Sequence, residues 1–521
     1  MITRREFTRR LCMAGAALAA APATAQLSRA AERQAAPNIL LIVSEDNGPQ
    51  LGCYGDPYVK TPRLDALAAQ GVRFNAAYVS QAGCSPSRSS ILTGLYPHQN
   101  GQIGLATWGF RMYREDTPTL PRCLKEAGYR TARIGKLHVN PETAFPYDMV
   151  EIPTGNFERK NLGDYAKYAE AFFKADDQPF FLQISYPDAH DPFLPQVDGM
   201  PKQPLTGKDV KSLPQFGIDP PELRQIVADY YNCMSRLDSL VGDLLAALDR
   251  SGKAENTLVI YLGDHGPDLL RGKRTCYEGG THIPLIMRWA GKTQPQVREE
   301  FVSTIDLMPT LLAVSGAAPV EGLPGQSLLP LLTGDKPEWR RHLFTEFHTH
   351  ATVANFFPQR AVRDARYKLI ENLLPDEVNP DSEKIDREFP FVAAAVAAAA
   401  PEVRSAYHLM QKPPRYELYD LQTDPFEFRN LAGAAEQATA FADLKERLAA
   451  WREQTQDPLL SATNLQRLKA EVYSVKTKAA GKELGWGYPD YFFGREPAPK
   501  SSAAPAPKKS SKKKKKKDQE E

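Results

Sequence analysis

Cysteine is sparse in this chain, and what there is lies scattered. The 521 residues include six, Cys12, Cys53, Cys84, Cys123, Cys233 and Cys276. No two form a CxxC pair and no dense framework links them, which speaks against a disulfide scaffold and a structural zinc site. Net charge is almost missing too: 65 Lys and Arg face 63 Asp and Glu, a formal +2. That balance hides a basic start, with Arg4, Arg5, Arg9 and Arg10, and a lysine-rich end from Lys508 to Lys517, so the body between them is mildly acidic. An acidic body argues against broad nucleic-acid binding by the folded part; an anionic substrate then requires positive charge gathered inside a pocket. Long apolar runs are absent from the mature region, so no transmembrane segment is expected there. What remains is an ordinary globular composition, 42% hydrophobic and 25% charged, with length for a large core and a second, smaller lobe.

The two ends read differently from the body. Thr3-Arg4-Arg5-Glu6-Phe7 resembles a twin-arginine motif, an apolar run follows from Leu11 to Ala21, and Ala23-Thr24-Ala25 offers small residues for cleavage. Residues 1–25 are therefore expected to be an export signal, with a periplasmic or extracellular destination reached by the twin-arginine route. Residues 496–521 are rich in Pro, Ala, Ser and Lys and lack apolar residues to bury, so they are expected to form a disordered, solvated tail.

Between the ends, strand-like and helix-like segments alternate. Asn38–Ser44, Thr131–Gly135, Phe180–Ser185 and Thr257–Leu262 read as short strands. Pro62–Gln70 reads as a helix, with Pro in its first turn and Gly71 at its exit, and Asp229–Leu248 as an amphipathic helix with Leu237, Val241, Leu244 and Leu248 along one side. This alternation predicts an α/β fold, a large mixed β-sheet sandwiched by helices, with a smaller C-terminal α+β lobe. The expected divisions are a catalytic domain at 37–340 and the C-terminal lobe at 341–495. Ligands of such sheets sit beyond the carboxyl ends of the strands. Glu45 and Asp46 follow the first strand, Lys136 and His138 the second, His190 the third, and Asp264 and His265 the last. Four strand ends carrying acid, base and cation suggest one shared site.

The segment Cys84-Ser85-Pro86-Ser87-Arg88-Ser89-Ser90-Ile91-Leu92-Thr93-Gly94 fits the sulfatase signature C-x-P-S-R-x-x-x-L-T-G at every fixed position. Gly135-Lys136-Leu137-His138, Asp188-Ala189-His190-Asp191-Pro192, Asp264-His265-Gly266 and Lys273 followed by Tyr277-Glu278-Gly279-Gly280 extend the resemblance, as does Tyr416–Pro425 near the end. The chain is thus identified as a member of the formylglycine-dependent sulfatases, within the alkaline phosphatase superfamily. Gly94-Leu95, His98-Gln99-Asn100-Gly101, Pro141-Glu142-Thr143 and Trp451-Arg452-Glu453 with Asp457-Pro458 are similar to the heparan N-sulfatases.

The resemblance implies that a maturation enzyme oxidises Cys84 to formylglycine (3-oxoalanine) and that a divalent cation sits beside it. Carboxylate oxygens suit Ca²⁺, with Mg²⁺ as the alternative. The implied metal ligands are Glu45, Asp46, Asp264, His265 and the modified Cys84; Glu45 stands where the family usually has Asp. Arg88, four residues after Cys84, shares its face if a helix starts there, and would brace the new hydroxyl and the metal carboxylates. Lys136 and Lys273 are the implied cations for sulfuryl oxygens, His138 a base for the elimination step and His190 an acid for the leaving group. Asp188, His348 and His350 are candidate substrate contacts. Taken singly, each of these residues also has a plain reading as a surface charge, a turn cap or a core histidine. Three functions stay in view: a sulfatase acting on N-sulfoglucosamine of heparan-type glycans or on an O-sulfated polysaccharide, a phosphoesterase of the same superfamily, and a non-catalytic glycan binder.

Overall fold

The computed structural model describes residues 36–375 and 377–493; the expected export signal and the lysine-rich tail lie outside them. Nine strands form the main sheet: β1 (Asn38–Ser44), β2 (Val72–Tyr78), β3 (Arg130–Gly135), β4 (Met149–Glu151), β5 (Phe180–Tyr186), β6 (Thr257–Gly263), β7 (His282–Trp289), β8 (Gln296–Arg298) and β9 (Val302–Ser303). Their order is β4-β3-β5-β1-β6-β7-β2-β8, with β9 also beside β2. The run β4-β3-β5-β1-β6 is parallel throughout, while β7 pairs antiparallel with both β6 and β2. The sheet is mixed for this reason, and four adjacent strands of its five-stranded parallel part, β3, β5, β1 and β6, lead out through the same edge.

Burial on both faces explains why β1, β5 and β6 read as continuous apolar runs. From β1, Leu40 and Ile42 enter one core with Leu182, Ile184, Val259 and Tyr261. That core is closed by α1 (Pro62–Ala69), α4 (Asp164–Lys174) and α5 (Pro221–Arg250), through Leu64, Phe173, Leu237, Val241 and Leu244. Ile39, Leu41 and Val43 point the other way, with Leu258 and Ile260, onto α2 (Cys84–Thr93), α3 (Leu120–Glu126) and α6 (Leu307–Ser315). Each such side chain contributes on the order of 1.5–3 kcal/mol by leaving water.

A second, four-stranded antiparallel sheet has the order β10 (Leu343–Phe347), β11 (Gln359–Arg363), β12 (Tyr367–Asn372) and β13 (Tyr416–Asp420). Val362, Leu369 and Leu418 on its face pack against Leu444, Leu448 and Trp451 of α7 (Ala438–Gln454). The expected α/β architecture, a large mixed sheet sandwiched by helices, is therefore what the chain adopts, and its C-terminal part carries a small antiparallel sheet. Among the described residues no helix is long and apolar enough to cross a membrane.

Candidate active site

All four adjacent parallel strands end in a cluster of charged side chains. Beyond β1, Glu45 and Asp46 are completely buried, as are Asp264 and His265 beyond β6. The register places Ser44 beside Gly263 and Tyr186, so these strand ends lie next to one another. The backbone turns sharply there: Asp46 has φ 49° and His138 φ 60°. Non-glycine residues held in this left-handed region gather where the surrounding structure over-determines them, at functional sites above all.

The helix α2 delivers Cys84 into that cluster. All ten of its residues are buried, although its sequence, CSPSRSSILT, is largely polar. Most of the hydroxyls are absorbed locally: Ser90 Oγ pairs with Ser80 at 2.7 Å, Ser85 Oγ accepts from the Ala106 amide at 2.9 Å, and Ser89 and Thr93 donate to carbonyls of their own helix, while Ser87 Oγ is buried without a partner. Cys84 and Arg88 sit one helical turn apart and so share a face. Arg88 donates through Nε to Asp264 at 3.1 Å, through Nη2 to Glu45 at 2.6 Å, and through Nη1 to Ser185 Oγ at 3.0 Å. One planar guanidinium thereby fixes carboxylates from the ends of β1 and β6.

Two lysines complete the charge balance. Lys136 Nζ lies 2.8 Å from Glu45 Oε2, and Lys273 Nζ lies 3.0 Å from Asp46 Oδ2. His265 Nε2 lies 3.2 Å from Asp46 Oδ1 and 3.4 Å from Cys84 Sγ, while its Nδ1 is 2.8 Å from the Gly266 carbonyl. Burial opposes charge on this ring, yet Asp264 and Asp46 outweigh it and raise its pKa to about 9. Burial also disfavours a Cys84 thiolate, but Lys136, Lys273 and His265 hold the thiol well below its ordinary range. His138 is half-buried, with both ring nitrogens shut off from solvent, and burial followed by Lys136 lowers its pKa to about 4. His190 keeps a raised pKa: burial opposes its charge, and Asp46 and Cys84 overcome that.

The donor set fits a divalent cation. Ligand atoms of Asp46, Cys84, Asp264 and His265 lie within 4.8 Å of one another, and so do those of Glu45, Asp46, Cys84 and His190. Asp46 and Cys84 are common to both groups, with Asp264 on one side and Glu45 on the other. Glu45 keeps to the group with His190 despite its extra methylene, its two oxygens meeting Arg88 and Lys136. Hard oxygen donors of this kind suit Ca²⁺ or Mg²⁺.

Not every expected residue faces the same way. His350 has its Nδ1 buried and unpaired, close to the start of α2 where a Cβ on Gly83 would meet it at 3.5 Å. Asp188, expected to contact a sugar, is fully buried and gives both oxygens to arginines: Oδ1 to Arg159 at 3.1 Å and to Arg236 at 2.7 Å, Oδ2 to Arg236 at 2.8 Å. His348, expected to line the pocket from the second lobe, is also fully buried, 3.4 Å from Glu346, in a cluster with His98 and Arg360. Both differ from the expectation because an internal charge partner claims the side chain first. Ser185, Arg159, Arg236 and Phe157 were missed. Only Arg236 left a trace in the sequence, as a cation set inside the apolar stripe of α5 between Cys233 and Leu240.

Known structures share this framework. A structure of BT4656 in complex with its substrate D-glucosamine-2-N,6-O-disulfate superposes with a TM-score of 0.62 at 20% identity, covering 81% of this chain and 98% of that one. The phosphonate monoester hydrolase of Agrobacterium radiobacter superposes with a TM-score of 0.60 at 21% identity, over 80% and 96% of the two chains. The fold is thus one shared with a protein whose substrate is a disulfated glucosamine and with a phosphonate monoester hydrolase. Sequence narrows the class. The family model for sulfatases matches residues 37–317, and that for the C-terminal part of N-sulphoglucosamine sulphohydrolase matches residues 263–379. Human N-sulphoglucosamine sulphohydrolase is 32% identical over 474 residues, covering 82% of this chain and 91% of that protein. An ulvan-active sulfatase of Formosa agariphila is 30% identical over 423 residues, covering 79% and 78%. The chain belongs to the sulfatase family, and it is a hydrolase of sulfate esters or sulfamates on sugars.

Proposed function

We propose that this sulfatase removes the N-sulfate of glucosamine in heparan-type glycans, with a formylglycine made from Cys84 as nucleophile. The observation that carries the substrate assignment is the 32% identity to human N-sulphoglucosamine sulphohydrolase, which extends across both lobes. The basic start of the chain supports export, and a formylglycine-generating enzyme is the partner this reading requires.

A divalent cation, held by Glu45, Asp46, Asp264, His265 and residue 84, would neutralise the sulfuryl oxygens and polarise the S–O bonds. Oxidised to the aldehyde and hydrated, residue 84 would supply two hydroxyls, one to attack sulfur and one whose ionisation lets sulfate leave. The remaining work falls to side chains already in place. Lys136 and Lys273 bring their ammonium groups to the cluster, where they attract the substrate's sulfuryl oxygens. His138, neutral at pH 7 because burial keeps its pKa near 4, can accept a proton from residue 84. His190 Nδ1 is 2.6 Å from the Asp191 carbonyl and donates to it, which leaves Nε2 to hand a proton to the leaving nitrogen. An amine is a poorer leaving group than an alcohol unless protonated, so a sulfamate places the greater demand on this acid.

Sulfate release from N-sulfated and from 6-O-sulfated glucosamine, measured side by side with the matured protein, tests the reading. Release from the N-sulfate is expected. Release from the 6-O-sulfate alone would favour an O-sulfatase on another polysaccharide, a reading supported by the 30% identity to the ulvan-active enzyme.

A further inference from the structure

The loop that follows β4 places an aromatic ring against two of the site's charged side chains. Phe157 stacks on His190, with ring centroids 3.9 Å apart and planes 20° from parallel. The ammonium of Lys136 lies 5.1 Å from the centroid of the same ring. No motif of the sequence marks Phe157, and the charge network described above does not use it.

The loop is built to hold that ring. Ile152, Asn156, Arg159 and Asn161 all have positive φ, between 47° and 53°, and Asn156 closes the bend by donating to the Lys160 carbonyl at 2.9 Å and accepting from its amide at 3.0 Å. Gly155 lies under the Phe157 ring: a Cβ there would sit 2.5 Å from the ring's Cζ. Arg159, fully buried, donates to the main-chain carbonyls of both Phe157 and His190. Its Nε is anchored 3.1 Å from Asp188 Oδ1, and Arg236 holds the other side of that carboxylate. The order of dependence runs from the Asp188 carboxylate to Arg159, from Arg159 to two carbonyls, and from those carbonyls to two rings held face to face.

We infer that Phe157 is a positioning residue for proton delivery to the leaving group: with Gly155 and Arg159 it fixes the plane of His190. The inference rests on the reading of His190 as the leaving-group acid. An imidazole tethered at Nδ1 can still swing about its side-chain torsions, and a ring stacked on one face removes that freedom.

Leaving-group dependence separates this role from a general contribution to folding. In matured enzyme, Phe157→Ala is expected to lower kcat for N-sulfoglucosamine by about tenfold or more, a fraction of what a general acid supplies, with KM little changed. Turnover of 4-nitrophenyl sulfate, whose phenolate departs without a proton, is expected to stay within about twofold of wild type on the same grounds. Phe157→Tyr keeps the ring and is expected to behave as wild type on both. His190→Asn, run in parallel, should show the same bias toward the sulfamate; equal loss on both substrates would remove the acid role and the inference with it. A bias in His190→Asn with none in Phe157→Ala would overturn the inference alone. A crystal of Phe157→Ala gives a readout free of kinetics: the His190 ring is expected to leave its present plane or lose order, and an unmoved, well-ordered ring contradicts the proposal.

Discussion

Arg88 shows how much of the site hangs on one residue. Its three guanidinium nitrogens reach Asp264, Glu45 and Ser185, and its side chain is 1% exposed. Removing it strands two buried carboxylates, which costs about 3–5 kcal/mol when one partner of a buried pair is lost. Arg88→Ala is therefore expected to lower the unfolding free energy by that order in denaturant titration. Arg88→Lys keeps the charge but not the fork, and is expected to retain most of the stability while losing about 10²-fold or more in kcat. Equal activity in the lysine variant would mean that charge alone suffices. Arg88 was legible because its partner in the motif, Cys84, stands a fixed helical turn away. Asp188 was named but misplaced, since its true partners, Arg159 and Arg236, are 29 and 48 positions distant. Pairings of that kind are set by tertiary packing, and no local period announces them.

Helix and strand starts were legible where the chain marks them. Asn38–Ser44 is β1 to the residue, and the expected helix from Pro62 is α1. The longer amphipathic helix was expected from Asp229, yet α5 begins two turns earlier at Pro221. Leu223, Val227 and Ala228 continue its buried stripe, and Pro in the first turn is a start signal that the expectation did not use. β7 escaped because Pro284 interrupts its apolar run. The register of β2 against β7 shifts between Phe74 and Ala77, opposite that proline, and the Tyr54 hydroxyl enters to donate to the Phe74 and Leu285 carbonyls and accept from the Leu285 amide. The join between α1 and α5 yields a pH prediction. Asp238 of α5 accepts from the Arg63 and Leu64 amides at the start of α1, at 2.9 and 2.8 Å, and burial pushes its pKa up to about 6. The native state then binds a proton that the unfolded chain releases near pH 4. Its contribution is complete below that pH and fades as pH rises through 6. Asp238→Asn removes this titration, so wild type is expected to lose about 2–3 kcal/mol relative to the variant between pH 4 and 7. Parallel stability profiles would refute the assignment.

At the scale of the whole molecule, the smaller sheet is bound to the larger by buried polar contacts as well as by apolar packing. Glu278, just before β7, bonds Tyr78 of β2 at 2.8 Å and pairs with Arg363 of β11 at 2.6 Å and Lys368 of β12 at 3.1 Å. His98, close behind α2, meets Glu346 of β10 at 2.5 Å, and Tyr277 reaches Glu417 of β13 at 2.8 Å. A chain joined this way is expected to unfold as one unit. Glu278→Ala should lower stability by about 2–3 kcal/mol, less than a fully buried pair because the side chain is 17% exposed. Hydrogen exchange in β1 and β12 should accelerate together in that variant; acceleration in β12 alone would show two independent units. The sequence foretold the large mixed sheet and a smaller α+β lobe but not these joints, which bring together residues more than eighty positions apart. The central claim, that residue 84 is the nucleophile in oxidised form, is tested most directly by mass spectrometry of the peptide spanning residue 84, taken from active protein made in its native host. The account predicts an aldehyde, with oxygen in place of the thiol and one hydrogen, in the fraction that releases sulfate. An unmodified thiol throughout that active fraction would contradict it.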